Sequence, residues 1–168
     1  ELFANALGDQ YASIQTGSGR NDRMQIIYDK QKFQLLRKME LNQINFEDRY
    51  RSPLVAHLKD RESGAEFLVM VNHLARGKAE VRAWQAKQLV AWARDQYLPI
   101  IAIGDYNYDF VFDTRKGNEG FVEMMRDGIW HWVEPTKLID TNWYDNPQEP
   151  DGQDDYPGSI LDFGCGWG

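Results

Sequence analysis

Ile100-Ile101-Ala102-Ile103-Gly104-Asp105-Tyr106-Asn107 is the stretch on which the fold turns. Four apolar residues stop at a glycine, and an acid and an amide follow two positions apart. A short apolar run of this kind reads as a buried strand. Gly104 lets the backbone turn or approach a ligand closely. Along an extended strand end, residues two apart face the same way. Asp105 and Asn107 would then offer two hard oxygens to one point. Such a pair suits Mg²⁺ (or Mn²⁺), which takes oxygen ligands and keeps waters that a phosphate can displace. The competing account is a strand that ends in a turn, because Gly, Asp and Asn are ordinary turn residues.

Outward from this stretch, strand and helix patterns alternate unevenly. Upstream, Ala79 to Tyr97 carries Ala86, Leu89, Val90, Ala93 and Tyr97 on one helical stripe. Before that helix, Leu54–Leu58 and Phe67–Val71 flank a polar link containing Gly64 and read as a hairpin. Phe67–Val71 is apolar at every position, which predicts cover on both faces. Met24–Tyr28 reads as a strand, with Phe33–Met39 as its hairpin partner across Asp29–Lys32. Residues 1–12 look like the end of a helix, with Gly8 as its stop. Downstream, a short helix spans about Asn118–Arg126, with Met124 and Met125 as core filler. Residues 143–158 form a long acidic loop, and Ser159–Phe163 restarts a strand. Hairpins mixed with one strand–helix–strand crossover predict an α/β sandwich with mixed sheets.

The 168 residues fit one domain, and 42% hydrophobic content is enough for a core. No apolar run approaches the ~20 residues of a membrane span. The net charge of −7 argues against a protein that holds nucleic acid mainly by a basic surface. It leaves room for a metal-dependent enzyme acting on phosphates, since a bound cation supplies local positive charge. Cys165 is the single cysteine, so there is no internal disulfide and no cysteine-rich zinc site. The chain begins at Glu1 rather than methionine, and no secretory signal is visible. The compartment therefore stays open, a secreted or periplasmic setting being slightly favoured over a cytoplasmic one.

Three further positions could carry chemistry. His73, where the apolar strand runs out, can donate a proton or hydrogen bond to developing phosphate charge. The competing and simpler account is a strand-end histidine bonded to a neighbouring loop. Asp162 sits directly after Ile160-Leu161, a position where acids are paired or ligating; a structural salt bridge is the competing account. Arg76, Lys78 and Arg82 make a basic cluster that could meet a phosphate or form a solvated helix start. Asn72 reads as a turn residue. Asp151, Asp154 and Asp155 loosely resemble a calcium loop within 145–155, against the simpler account of an acidic solvated loop. Trp143 and Tyr144 could stack on a base or sugar.

Taken in order, Arg23-Met24-Gln25-Ile26-Ile27-Tyr28-Asp29-Lys30, Asn72-His73-Leu74, Gly104-Asp105-Tyr106-Asn107 and Ser159-Ile160-Leu161-Asp162 resemble the endonuclease/exonuclease/phosphatase superfamily. The resemblance runs from about residue 20 to 163. It implies a four-layer α/β sandwich with mixed β-sheets and Mg²⁺-dependent hydrolysis of phosphate esters, as a nuclease, phosphodiesterase or phosphatase. It implies that Asp105 activates or orients the attacking water and that Asn107 contacts the phosphate near the metal, both as metal ligands. His73 would stabilise the phosphoryl oxygens, and Asp162 would orient a second, C-terminal histidine. Tyr28, Asn72 and Arg76 are the expected substrate contacts. Two family features have no match: an early strand bearing Asn and a metal-binding Glu, and a final strand bearing the catalytic His. Gly164-Cys165-Gly166-Trp167-Gly168 propagates a strand poorly. The expectation is a single domain over 1–168, truncated and incomplete at both ends. The substrate is a phosphate ester, with nucleic acid among the candidates. The alternative is an inactive fragment of the same fold that serves binding or assembly, with self-association through exposed sheet edges.

Overall fold

The computed structural model describes residues 2–134, 141–144 and 156–167. Among these residues three α-helices, α1 (Leu2–Leu7), α2 (Ala79–Arg94) and α3 (Glu119–Met125), and two short 3-10 turns accompany nine strands. The strands are β1 (Tyr11–Gln15), β2 (Gln25–Asp29), β3 (Phe33–Glu40), β4 (Leu54–Asp60), β5 (Glu66–His73), β6 (Ile100–Phe110), β7 (His131–Trp132), β8 (Asn142–Tyr144) and β9 (Tyr156–Trp167). A large mixed sheet runs β3-β4-β5-β6-β9-β7, with β8 also on β9, and β1 pairs with β2 alone. Among the described strands only β5 and β6 are parallel; the other pairs are antiparallel. The mixed α/β architecture is as the sequence predicts. Among the described residues the layers are α2 with α3, the large sheet, and the β1–β2 pair, with α1 against β1.

Each element follows from local chemistry. The β4–β5 hairpin turns on Asp60, whose Oδ1 accepts from the amides of Glu62 (3.0 Å) and Ser63 (2.7 Å). The α2 crossover buries Val81, Ala86, Leu89, Val90 and Ala93 against the sheet. Full burial of a residue such as Leu89 contributes about 1.5–3 kcal/mol. Asn118 caps α3, its side chain accepting from Gly120 N at 3.1 Å and Phe121 N at 3.4 Å. Trp130, Met124 and the aromatic set Tyr106, Tyr108, Phe110, Phe163 join the same core. Edge-on ring contacts, such as Phe110 on Trp132 at 4.8 Å, lock it.

The structure corrects several expectations. β2 and β3 do not form a hairpin: β2 pairs with the unforeseen β1, and β3 pairs with β4. The turn between them carries the chain from one sheet to the other, held by Lys30 N to Gln10 O and Arg61 N to Lys32 O. Tyr97 is 86% exposed, because α2 ends at Arg94 and Pro99 disfavours helix just before it. The strand β5 is fully covered on the helix side only. Phe67, Val69 and Val71 are partly buried on the other side, and Ile101 and Ile103 of β6 stand 51% and 46% exposed there. β9 continues through Gly164-Cys165-Gly166 to Trp167. Its glycines are tolerated because β6 and β7 flank the strand on both sides, and Phe163 and Cys165 are buried in the core.

Candidate active site

The β5–β6 parallel register sets His73 beside Asp105, and the β6–β9 register sets Asp105 opposite Asp162. Three expected residues therefore stand side by side at one level of three neighbouring strands. His73 Nε2 lies 3.6 Å from Asp105 Oδ2, and both side chains are partly exposed, at 27% and 31%. Gly104 is what lets the strands close up here. Its φ is +134°, and a Cβ at this position would lie 2.1 Å from the carbonyl oxygen of Asn72. The close approach is thus to a neighbouring strand.

Charge in the cluster is unevenly set. Burial lowers the pKa of His73, the Arg51 cation lowers it further, and the carboxylates of Asp105 and Asp162 pull it back up without reversing the shift. The imidazole is therefore held neutral at pH 7. Asp162 is pushed above the ordinary aspartate value, by burial first and by the neighbouring Asp105 charge, against a hydrogen bond from Thr141. The Thr141 hydroxyl oxygen also accepts from the amides of Leu161 (2.9 Å) and Asp162 (3.1 Å), fixing this part of β9.

Asn107 departs from the arrangement drawn from its spacing. Its φ is +53° and the β6–β9 register breaks between Asp105 and Phe110, so the strand is not extended here. The two-residue rule then no longer sets the amide beside the carboxylate. Asn107 is buried; its Nδ2 donates to Leu74 O at 3.0 Å and its Oδ1 accepts from Arg76 at 3.2 Å. Its backbone N–H donates to Asp105 Oδ1 at 2.9 Å. Asn107 thus orients Asp105 and anchors Arg76, which also pairs with Asp109 at 2.9 Å. Asn72 is a strand residue, not a turn residue. It is buried, with Nδ2 donating to the Tyr106 hydroxyl at 2.9 Å and Oδ1 without a partner among the described residues. Tyr28 stands apart, on β2, lining an apolar groove with Leu58, Phe67 and Val69. Arg82 is no solvated helix residue; it is buried and donates to the carbonyls of Ala75 (2.9 Å) and Arg76 (2.8 Å), tying down the loop after His73.

Neither a protein-family model nor a curated protein matches this chain. Solved structures do. An endonuclease/exonuclease/phosphatase family protein from Bacteroides thetaiotaomicron superposes with a TM-score of 0.70 at 16% identity, covering 97% of this chain and 62% of that one. TDP2 of D. rerio, complexed with a single-strand DNA product, gives 0.71 at 15% identity, over 99% and 65%. A mannosyl-6-phosphatase from Bacteroides thetaiotaomicron gives 0.65 at 17% identity, over 97% and 65%. The chain has the fold of the endonuclease/exonuclease/phosphatase family. It spans less than two thirds of the length of these three proteins.

Within the endonuclease/exonuclease/phosphatase fold, two neighbours of His73 had no conspicuous sequence signal. Asp22, in the loop after Gly19, places Oδ2 3.9 Å from His73 Nδ1 and pairs with Arg51. Arg51 precedes Ser52-Pro53, and its one signal is a place near Arg49 just before an apolar run. The second histidine implied for Asp162 is not found among the described residues. His57 bonds to Glu66 at 2.9 Å, and His131 pairs with Gly166, well along β9 from Asp162. Trp143 and Tyr144 lie in β8, with side chains outside the described residues, as does the 145–155 loop with its Ca²⁺ candidates.

Proposed function

We propose that this chain is a phosphoesterase domain that hydrolyses phosphate esters by attack of water. The observation that carries the reading is the row His73–Asp105–Asp162 on adjacent strand ends, with the Arg51 cation close by. A neutral imidazole at the mouth of the sheet can donate a hydrogen bond to a phosphoryl oxygen. Asp105, held by the Asn107 amide, can accept a proton from the attacking water. Arg51 and Arg76 offer guanidinium forks suited to phosphate. Asp162 places a second carboxyl group beside Asp105, its pKa raised above the ordinary aspartate value by burial first and by the Asp105 charge.

Mg²⁺ or Mn²⁺ is the cofactor that the family resemblance suggests. The described residues do not complete a site for it. They contain no cluster of three or more His, Cys, Asp or Glu able to hold a metal, and the Asn107 oxygen is already taken by a cation, Arg76. No step is therefore assigned to a metal. The same shortfall favours a second reading, a binding or assembly module that retains the fold without turnover. Hydrolysis of bis(p-nitrophenyl) phosphate, with and without Mg²⁺ or Mn²⁺, separates the two. The hydrolase reading expects turnover that falls about 100-fold or more in His73→Ala or Asp105→Ala, the scale of lost acid–base help. Turnover indifferent to both substitutions, or absent at every metal concentration, removes it.

A further inference from the structure

Beside the row of His73 and Asp105 lies a cleft of about 540 Å³ whose lining includes four arginines, Arg20, Arg23, Arg49 and Arg51, and a single acid, Asp48. Acids offset part of this charge, and Arg20 and Arg23 are the two guanidiniums of the lining without an ion pair among the described residues. Every cation is a guanidinium, whose planar fork matches phosphate oxygens in pairs. Arg51 and Arg49 are paired, with Asp22 and Glu47 respectively. Among the described residues Arg20 and Arg23 form no ion pair, and the one side-chain bond between them is Arg23 Nε to the Arg20 carbonyl at 3.1 Å.

The walls of the cleft are built, not loose. Glu40 accepts from the amides of Gly17 (2.8 Å) and Ser18 (2.9 Å), and Ser52 N donates to the Ser18 hydroxyl at 3.0 Å. Gly19 has φ +89°, and a Cβ there would lie 2.4 Å from the Asp22 carbonyl. Arg20 and Asp48, one from each of the two chain segments that line the cleft, both adopt left-handed backbone with φ of +50° and +56°. Non-glycine residues hold that conformation where surrounding structure enforces it, and such strain gathers at binding sites.

We infer that this arginine cleft is a subsite for a second phosphate of the substrate, next to the phosphate that meets His73. The inference rests on the phosphoesterase reading. The link is Arg51: it lines the cleft, and its partner Asp22 lies 3.9 Å from His73 Nδ1. The substrate class is a phosphate ester bearing two phosphate groups, either neighbouring phosphates of a nucleotide strand or two on one small sugar. Both present pairs of anionic non-bridging phosphate oxygens to the arginines, monoanionic in the diesters of a strand and dianionic in the monoesters of a sugar.

Calorimetric titration in EDTA, where no metal-dependent turnover interferes, tests this with thymidine 5′-monophosphate, thymidine 3′,5′-bisphosphate and fructose 1,6-bisphosphate. The expected result is at least tenfold tighter binding of a bisphosphate than of the monophosphate. A preference confined to the thymidine ligand assigns the strand as the source; an equal preference for the sugar assigns the paired phosphates alone. Arg20→Gln/Arg23→Gln should abolish the preference with an unchanged thermal melt. Lys87→Gln/Arg94→Gln, removing the same charge from exposed positions of α2, should keep it. Equal binding of mono- and bisphosphate by the wild type, or equal loss in both double variants, overturns the subsite. Failure of the hydrolase reading is seen separately, in turnover of the nitrophenyl ester, and would end the cleft's role as a substrate subsite even if the binding preference held.

Discussion

His73 carries the sharpest consequence at the scale of single residues. Its folded pKa lies below the ordinary histidine value of about 6.5. The unfolded chain therefore binds this proton more readily than the folded one. The corresponding stability is fully present above about pH 6.5 and is lost as the pH falls toward the native value. An NMR titration of the His73 ring should show a midpoint below 6.5, and Arg51→Gln should raise it by removing a repelling cation. Gly104 makes a second, backbone prediction. Gly104→Ala forces a methyl onto the Asn72 carbonyl and a side chain into φ +134°. It should cost about 3 kcal/mol or more in urea unfolding, beyond ordinary overpacking. His73, Asp105 and Asp162 are all legible as candidates, the first two as polar residues where an apolar run stops and Asp162 as an acid set between Leu161 and Phe163. Asn107 was legible as important but not in its role. Its spacing assumed an extended backbone, and sequence alone does not reveal that φ turns positive two residues after Asp105.

At the scale of elements, the loop from Gly17 to Asp22 depends on a carboxylate from another strand. Burial raises the pKa of Glu40, but the amides of Gly17 and Ser18 and the Ser18 hydroxyl outweigh it, and the net shift is downward. The bond's contribution is present above the ordinary glutamate value and is lost as the pH falls through the lowered one. Glu40→Gln keeps the shape and removes the charge. It should cost about 1 kcal/mol in denaturant unfolding, at the low end for charge-assisted bonds because the site is partly exposed. This loop, and with it Asp22 and the arginine cleft, was not legible. The sequence shows only a Gly/Ser-rich connector, and its anchor Glu40 is far along the chain. The expected β2–β3 hairpin fails for a related reason. A short polar turn between two apolar runs implies pairing, yet the turn here joins two different sheets. Helices are more legible, because their signals are local: Ala86, Leu89, Val90 and Ala93 of the α2 stripe are buried as the periodicity predicts, although Tyr97 falls beyond the helix end, and α3 lies within the expected 118–126.

For the whole molecule, the mixed sheet and its crossover were legible, since the order of apolar runs and one long amphipathic helix leave few topologies. Coverage of the sheet was not. One face is sealed by α2 and α3, whereas Ile101 and Ile103 remain largely exposed on the other, where the β1–β2 pair does not reach them. An exposed apolar surface of this kind is a liability for association. Ile101→Thr/Ile103→Thr should raise the concentration at which the chain stays monodisperse in sedimentation, while changing unfolding free energy by about 0.5 kcal/mol or less, as surface changes do. No described helix is long and apolar enough to cross a membrane.

The position of β9 has a further consequence, in time. It is the last strand described, yet it is an interior one, wedged between β6 on one side and β7 and β8 on the other. While the chain is being synthesised, β3 to β6 can assemble early, because their pairings are close in sequence. β6 must then wait with one edge bare until Tyr156–Trp167 has emerged. Distant pairings of this kind are slow to form and leave unpaired edges open to misassembly meanwhile. The same insertion delivers Asp162 to Asp105, so the row of three residues forms only once β9 has paired with β6.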